Sequence, residues 1–175
     1  MPLCLPRMRW LAVLAAVAPA LLAREARAAG TLRAPDAHPH YQVELDFHLA
    51  LDAFDPPGVG EATGAGPGIR STWVVADGGF IRSANDSVGV GVGFDWLAFT
   101  GSGSSFYIPI VMQWNFWLSH RWSMFVEPGI GIFFGEAQGA APTGSVGGRV
   151  LLGDGLAVTF RAGYPGATVG FSSLL

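Results

Sequence analysis

Between Ser87 and Trp96 the chain reads Ser-Val-Gly-Val-Gly-Val-Gly-Phe-Asp-Trp. Val88, Val90, Val92, Phe94 and Trp96 are large and apolar, and every residue between them is small or polar. A strict period of two describes a β-strand with one apolar face and one polar or crowded face. The same alternation defines seven further segments. The predicted strands are Tyr41–Phe54, Gly68–Val75, Ser87–Phe99, Phe106–Ser119, Trp122–Phe134, Ser145–Leu152, Leu156–Tyr164 and Ala167–Leu175. Most are close to the about 9–11 residues that a tilted strand needs to cross a bilayer.

The two faces differ consistently. In the first strand Val43, Leu45, Phe47, Leu49 and Leu51 oppose Gln42, Glu44, Asp46, His48 and Asp52. In the fourth, Phe106, Ile108, Ile110, Met112, Trp114, Phe116 and Leu118 oppose Gln113 and Asn115. In the fifth, Met124, Val126, Ile130 and Ile132 oppose Glu127, Gly129 and Gly131. The 24 residues from Trp96 to Ser119 carry no charge, which could pass for a helical membrane span. Gly101-Ser102-Gly103-Ser104-Ser105 and Pro109 divide that stretch into two strands around a loop instead.

A secretory signal precedes the strands. Arg7 and Arg9 form a positive start, Trp10 to Ala23 is a charge-free apolar run of 14 residues, and Ala26-Arg27-Ala28 offers a cleavage site. The run is too short for a helical anchor, which needs about 20 residues, and Pro19 interrupts it. The expected organisation is a signal over 1–28, a periplasmic lead-in over 29–40 and a barrel over 41–175. Cleavage removes Cys4, so neither a disulfide nor a thiol nucleophile is expected in the mature chain. It also removes four of the ten arginines and one of the thirteen acids. Six Arg then face twelve Asp and Glu, a net charge of −6, with no lysine. Such a chain is a poor partner for nucleic acid.

Half of the residues are hydrophobic and only 13% are charged, against roughly 25% in ordinary soluble domains. A soluble barrel turns its apolar face inward and needs charge outside. Here the non-apolar face is glycine-rich, with Gly89, Gly91, Gly93, Gly129 and Gly131, which suits a crowded lumen better than a hydrated surface. The fold class read from these features is all-β: an eight-stranded antiparallel up-and-down transmembrane β-barrel. With both ends in the periplasm, long outer loops (Asp55–Pro67, Thr100–Ser105, Gly135–Thr143) should alternate with short inner turns (Ser119–Arg121, Gly153–Gly155). The long inner connection Ala76–Asp86 and the tight outer turn Tyr164-Pro165-Gly166-Ala167 break that order. Aromatic girdles are expected from Trp73, Trp114, Phe116, Trp117 and Trp122 at the inner ends. Trp96, Phe99, Phe106, Phe134 and Tyr164 should serve the outer ends.

Charged residues within the strands fall on the face away from lipid. Glu44, Asp46, Asp52, Asp95 and Glu127 stand with Arg70, Arg149 and Arg161, and His48 lies beside them. An eight-stranded lumen is just wide enough for side chains to fill, and a charge buried there needs a partner. Folding the first two strands about Glu61 pairs Arg70 with Asp52, with Asp95 as the alternative. Folding the fifth and sixth about Gln138 pairs Arg149 with Glu127. The network is expected to be structural and to close the lumen to ions.

Other constellations are weaker. His38-Pro39-His40 lies in the lead-in without a carboxylate or sulfur partner nearby in sequence, and is expected to be a flexible tail. Ser119-His120 falls in a predicted three-residue turn. Gly64-Ala65-Gly66-Pro67-Gly68 is followed by no helix that could bind phosphate. No cofactor and no metal ion is expected.

The mature chain resembles the small eight-stranded bacterial outer-membrane proteins of the OmpA/OmpX and OmpW kind in its signal, strand count and last strand. Ala167, Val169, Phe171, Ser173 and Leu175 alternate to the final residue, like the C-terminal signal read by the barrel-insertion machinery. Gln113-Trp114-Asn115-Phe116-Trp117 with Glu127-Pro128-Gly129 is similar to a segment of uncharacterised outer-membrane barrels. The resemblance implies an outer-membrane location, contact with its lipids, a monomeric state and a non-enzymatic structural, adhesive or narrow-transport role. The alternatives are a lipid-modifying enzyme on the same barrel and a soluble periplasmic lipocalin-like binding barrel.

Overall fold

Period-two alternation gives every strand two faces, and in the computed structural model these become the outside and the inside of a closed barrel. The structure describes residues 32–35, 37–52, 57, 63–101 and 103–175; the signal expected over 1–28 lies outside them. Eight strands follow in order: β1 (Val43–Asp52), β2 (Gly64–Ala76), β3 (Asp86–Phe99), β4 (Ser104–Trp117), β5 (Trp122–Gly135), β6 (Gly139–Leu151), β7 (Leu156–Tyr164) and β8 (Gly166–Leu174). Each pairs antiparallel with the next, and β8 closes on β1 from Glu44↔Leu174 to Asp52↔Gly166. The fold is an all-β up-and-down barrel, and closure leaves no strand edge unpaired. The start of β1 and the end of β8 share one rim, the terminal mouth, with the β2–β3, β4–β5 and β6–β7 connections. The other four connections form the loop mouth.

Two strands start earlier than the sequence indicates. Glycine and proline mark 64–67 and 139–144 as loop, yet both stretches pair as strand, with Pro67 opposite Leu49 and Pro142 opposite Ile130. The β5–β6 connection thereby shrinks to 136–138, flanked by Gly135 at φ 107° and Gly139 at φ 130°. Glycine reaches such angles without a Cβ clash, so here it builds a tight turn rather than a long loop. The alternation of long outer and short inner connections also breaks at the two places the sequence indicates: the β7–β8 connection is Pro165 alone, and β2–β3 at the terminal mouth runs over 77–85.

The outer surface is apolar around the whole barrel. Phe47, Leu49, Leu51, Ile69, Trp73, Val92, Phe94, Ile130, Val169 and Phe171 stand on it, each 39–62% exposed. All nine Asp, Glu and Arg residues of the strands are buried, at 0–5% exposure: eight point into the interior, and Asp86, on the outward phase of β3, is covered by the β2–β3 connection. This inverts the charge distribution of a soluble barrel. A continuous apolar belt of this kind is unusual on a water-soluble monomer, and it matches the outward band of a barrel that meets hydrocarbon.

Most of the expected girdle residues lie on that surface. Trp73, Trp96, Phe106 and Phe134 are exposed, and Trp114, Phe116 and Trp122 are half-buried. Phe94 stacks on Phe106 at 5.3 Å, and Trp114 packs on Phe116 at 4.7 Å with the rings tilted by 45°. Three residues do not belong to a girdle. Phe99 and Trp117 fall on the inward phase of β3 and β4 and are buried inside, while Tyr164 is half-buried and packs on the Phe99 cluster.

Candidate functional site: the filled lumen and the terminal mouth

Three arginines organise the lumen. Arg149 on β6 reaches across the barrel to Glu44 on β1, and its Nη1 donates to the Tyr41 hydroxyl at 3.0 Å. Its guanidinium lies 5.6–5.9 Å from the ring centres of Tyr41, Trp117 and Phe125. Arg161 on β7 donates from Nε to Glu127 at 3.1 Å and pairs with Asp46 at 3.2 Å. Arg70 on β2 donates to the same Glu127 oxygen at 2.9 Å. Gln113 and Ser145 complete the shell of Glu127, at 3.0 and 2.7 Å. On the loop-mouth side His48 bridges two carboxylates, with Nδ1 on Asp46 and Nε2 on Asp95 at 3.0 Å. Glycine makes this bridge possible, because a Cβ at Gly68 would collide with both His48 and Asp95.

Every charged residue anticipated from sequence faces the lumen, but the anticipated pairs do not form as drawn. The register sets Asp52 opposite Gly64 and Arg70 opposite Asp46, while Glu127 faces Ser145 and Arg149 faces Ser123. Arg70 bonds to Glu127 rather than pairing with Asp95, which accepts from His48. Arg149 pairs with Glu44, not Glu127. In a barrel this narrow, long side chains meet across the lumen, so adjacency in a hairpin does not choose their partners. The shell members Gln113, Ser145 and Ser172 were readable only as inward-phase polar residues.

Apolar layers close both ends of the network. Leu97, Phe99, Tyr107 and Phe133 pack together toward the loop mouth, and Trp117, Leu151 and Ala157 toward the terminal mouth. Beside the loop-mouth layer lies a space of about 40 Å³ that runs from Arg70, Asp95, Glu127 and Arg161 out to Pro165 and Gly166 at the β7–β8 turn. That space suits water, not an organic ligand or a continuous pore. The lumen is chemically an ion-paired core in which each arginine faces carboxylate, while Arg70 Nε, Arg149 Nε and the Thr72 hydroxyl have no hydrogen-bond partner among the described residues.

The terminal mouth differs from expectation. The lead-in does not trail away: His38 is 5% exposed, stacks on Trp117 with ring centres 6.0 Å apart, and bonds through Nδ1 to Asn85 Oδ1 at 2.5 Å. His38 Nε2 and His40 Nδ1 meet the two oxygens of Asp77 at 2.9 and 2.7 Å. The carboxylate that the sequence lacked nearby thus comes from the β2–β3 connection, 39 residues from His38. Burial pushes the Asp77 carboxyl upward, but hydrogen bonds from His38 and His40 outweigh it and hold the group below the usual carboxylate range. Asp86 ties down the same connection, accepting from the Phe80 amide at 2.9 Å and from Trp114 Nε1 at 2.8 Å. Ser119 Oγ accepts from the Arg121 and Trp122 amides at 3.2 and 3.1 Å, the bonding of a turn-forming hydroxyl.

No protein-family model and no curated protein matches this chain. Among solved structures it is similar to a chain described under "De novo design of transmembrane beta-barrels". The identity is 12%, the match covers 78% of this chain and 98% of that one, and the TM-score is 0.51. At that identity the likeness is one of fold: a small eight-stranded barrel of the transmembrane type.

Proposed function

We propose that the chain is an integral outer-membrane β-barrel of a bacterial envelope, monomeric and non-enzymatic, with a structural or adhesive role and a lumen that serves as its core. The observation that carries this reading is the separation of charge from surface. Every Asp, Glu and Arg of the strands is buried, all but Asp86 of them inside the barrel, and an apolar belt surrounds it. The export signal and the OmpA/OmpX- and OmpW-like sequence features favour the outer membrane. The last strand, with Ala167, Val169, Phe171, Ser173 and Leu175 on its outward phase, suits recognition by the insertion machinery. The binding of the Ser119 hydroxyl within its turn favours a structural use of Ser119-His120 over catalysis.

Fractionation of expressing cells tests location, with the protein expected in the outer membrane and migrating differently on a gel before and after boiling. Recovery in the soluble periplasmic fraction would favour the lipocalin-like alternative. In planar bilayers the purified protein should show little conductance, because apolar layers close the lumen at both ends. Large, steady single-channel currents would overturn the filled-lumen reading and favour transport.

A further inference from the structure

We propose that His38, His40 and Asp77 form a binding site for one borderline divalent cation of the Zn²⁺ type, and that the bound ion clasps the lead-in to the β2–β3 connection at the terminal mouth. The ligand atoms His38 Nε2, His40 Nδ1 and an Asp77 oxygen lie within 4.8 Å of one another. Their chemistry fits that class of ion: imidazole nitrogen and carboxylate oxygen bind Zn²⁺ at about 2.0–2.2 Å. An ion at those bond lengths spaces its ligands by roughly 3.3 Å in tetrahedral geometry. The present nitrogen–oxygen distances of 2.9 and 2.7 Å, which run to the two different oxygens of Asp77, open to that spacing with small shifts, and the ligand atoms, all within 4.8 Å of one another, close around the ion.

The surroundings are arranged for an ion rather than for a chance contact. Asn85 Oδ1 is an acceptor, so the His38 Nδ1 facing it at 2.5 Å carries the proton. Nε2 is then the ring atom left to face the Asp77 carboxylate, at 2.9 Å. A proton shared along that contact can give way to a divalent ion, which serves both histidines and the carboxylate at once. The Asn85 contact also fixes the ring orientation, as the outer partners of metal-bound histidines commonly do. His38 is the rigid member, with its side chain 1% exposed and stacked on Trp117. His40 and Asp77, with side chains 62% and 46% exposed, leave the site open to solvent. Three protein ligands therefore leave a coordination position for water.

Location favours a clasp. The two histidines belong to the segment that leads into β1, and Asp77 begins the connection after β2. A single ion would join these two segments at the rim and hold the lead-in over Trp117.

The test uses the full mature chain refolded in detergent micelles, without a histidine tag and stripped of metal. Calorimetric titration with Zn²⁺ should give one equivalent of saturable binding, and Co²⁺ should give the visible absorption of a nitrogen- and oxygen-ligated ion. His40→Ala and Asp77→Asn should each weaken Zn²⁺ binding at least about tenfold, since even outer partners of metal ligands are worth 10–100-fold. Both substitutions are at exposed side chains, and unchanged heat-modifiable migration would verify the fold. His120 lines the same groove as His38 and His40, and His120→Ala should leave the affinity unaltered. A spin label at Ala37 should lose mobility when Zn²⁺ is added and regain it with chelator. Absence of one-equivalent binding would overturn the proposal, as would binding that survives both substitutions or depends on His120. Binding without immobilisation of Ala37 would overturn the clasp.

Discussion

At the scale of single residues, the interior is decided by which charges meet across the lumen. Arg149 is wholly buried and is held by Glu44, by the Tyr41 hydroxyl, and by the rings of Tyr41, Trp117 and Phe125. Removing one member of a buried pair leaves an uncompensated charge, whereas removing both does not. Arg149→Met is therefore expected to destabilise the barrel by ~3–5 kcal/mol, and Arg149→Met with Glu44→Gln by less. Equilibrium urea unfolding of the refolded protein in micelles measures the cycle, and purely additive losses would mean that the two groups do not interact. Which residues face inward was legible, because Glu44, Asp46, Asp52, Arg70, Asp95, Glu127, Arg149 and Arg161 share the inward phase of their strands. Their partners were not. Register follows from the length of each connection, and a partner across the barrel follows from the lumen's width, which no single hairpin contains.

At the scale of elements, alternation specifies a strand and glycine and proline only punctuate it. Ser87–Phe99 was read within one residue of β3, since its pattern leaves no other register for the apolar face. The stretches 64–67 and 139–144 were misread because turn-type composition masks pairing that neighbouring strands impose. Phe99 and Trp117 illustrate the same competition: aromatic character suggests a girdle, while strand phase sends both rings inward. Phase proved the better guide. It also makes β3 a test of the outer face. Val92 is 39% exposed near the middle of that strand, and Val92→Arg should cost ~2–4 kcal/mol in lipid. Refolding equilibria in liposomes would report it, and a neutral effect would mean that Val92 faces water.

At the scale of the whole molecule, an apolar exterior and an ionic interior form one arrangement. The barrel buries its charge in a lumen closed by Phe99, Tyr107 and Phe133 at one end and Trp117 and Leu151 at the other. Architecture and the two faces were legible from period-two patterning alone. The docking of the lead-in was not, because Asp77 and Asn85 reach His38 only once β2 and β3 are side by side. Five tryptophans follow the expected signal, and they sample both environments: Trp73, Trp96, Trp114 and Trp122 lie on the outward phase, and Trp117 is fully buried inside. The most direct measurement is quenching of single-tryptophan variants by brominated lipid after refolding into liposomes. Trp73 and Trp96 should be strongly quenched while Trp117 is spared. Spared emission at all three positions, or quenching of Trp117 equal to that of Trp96, would contradict a barrel with lipid outside and its ionic core within.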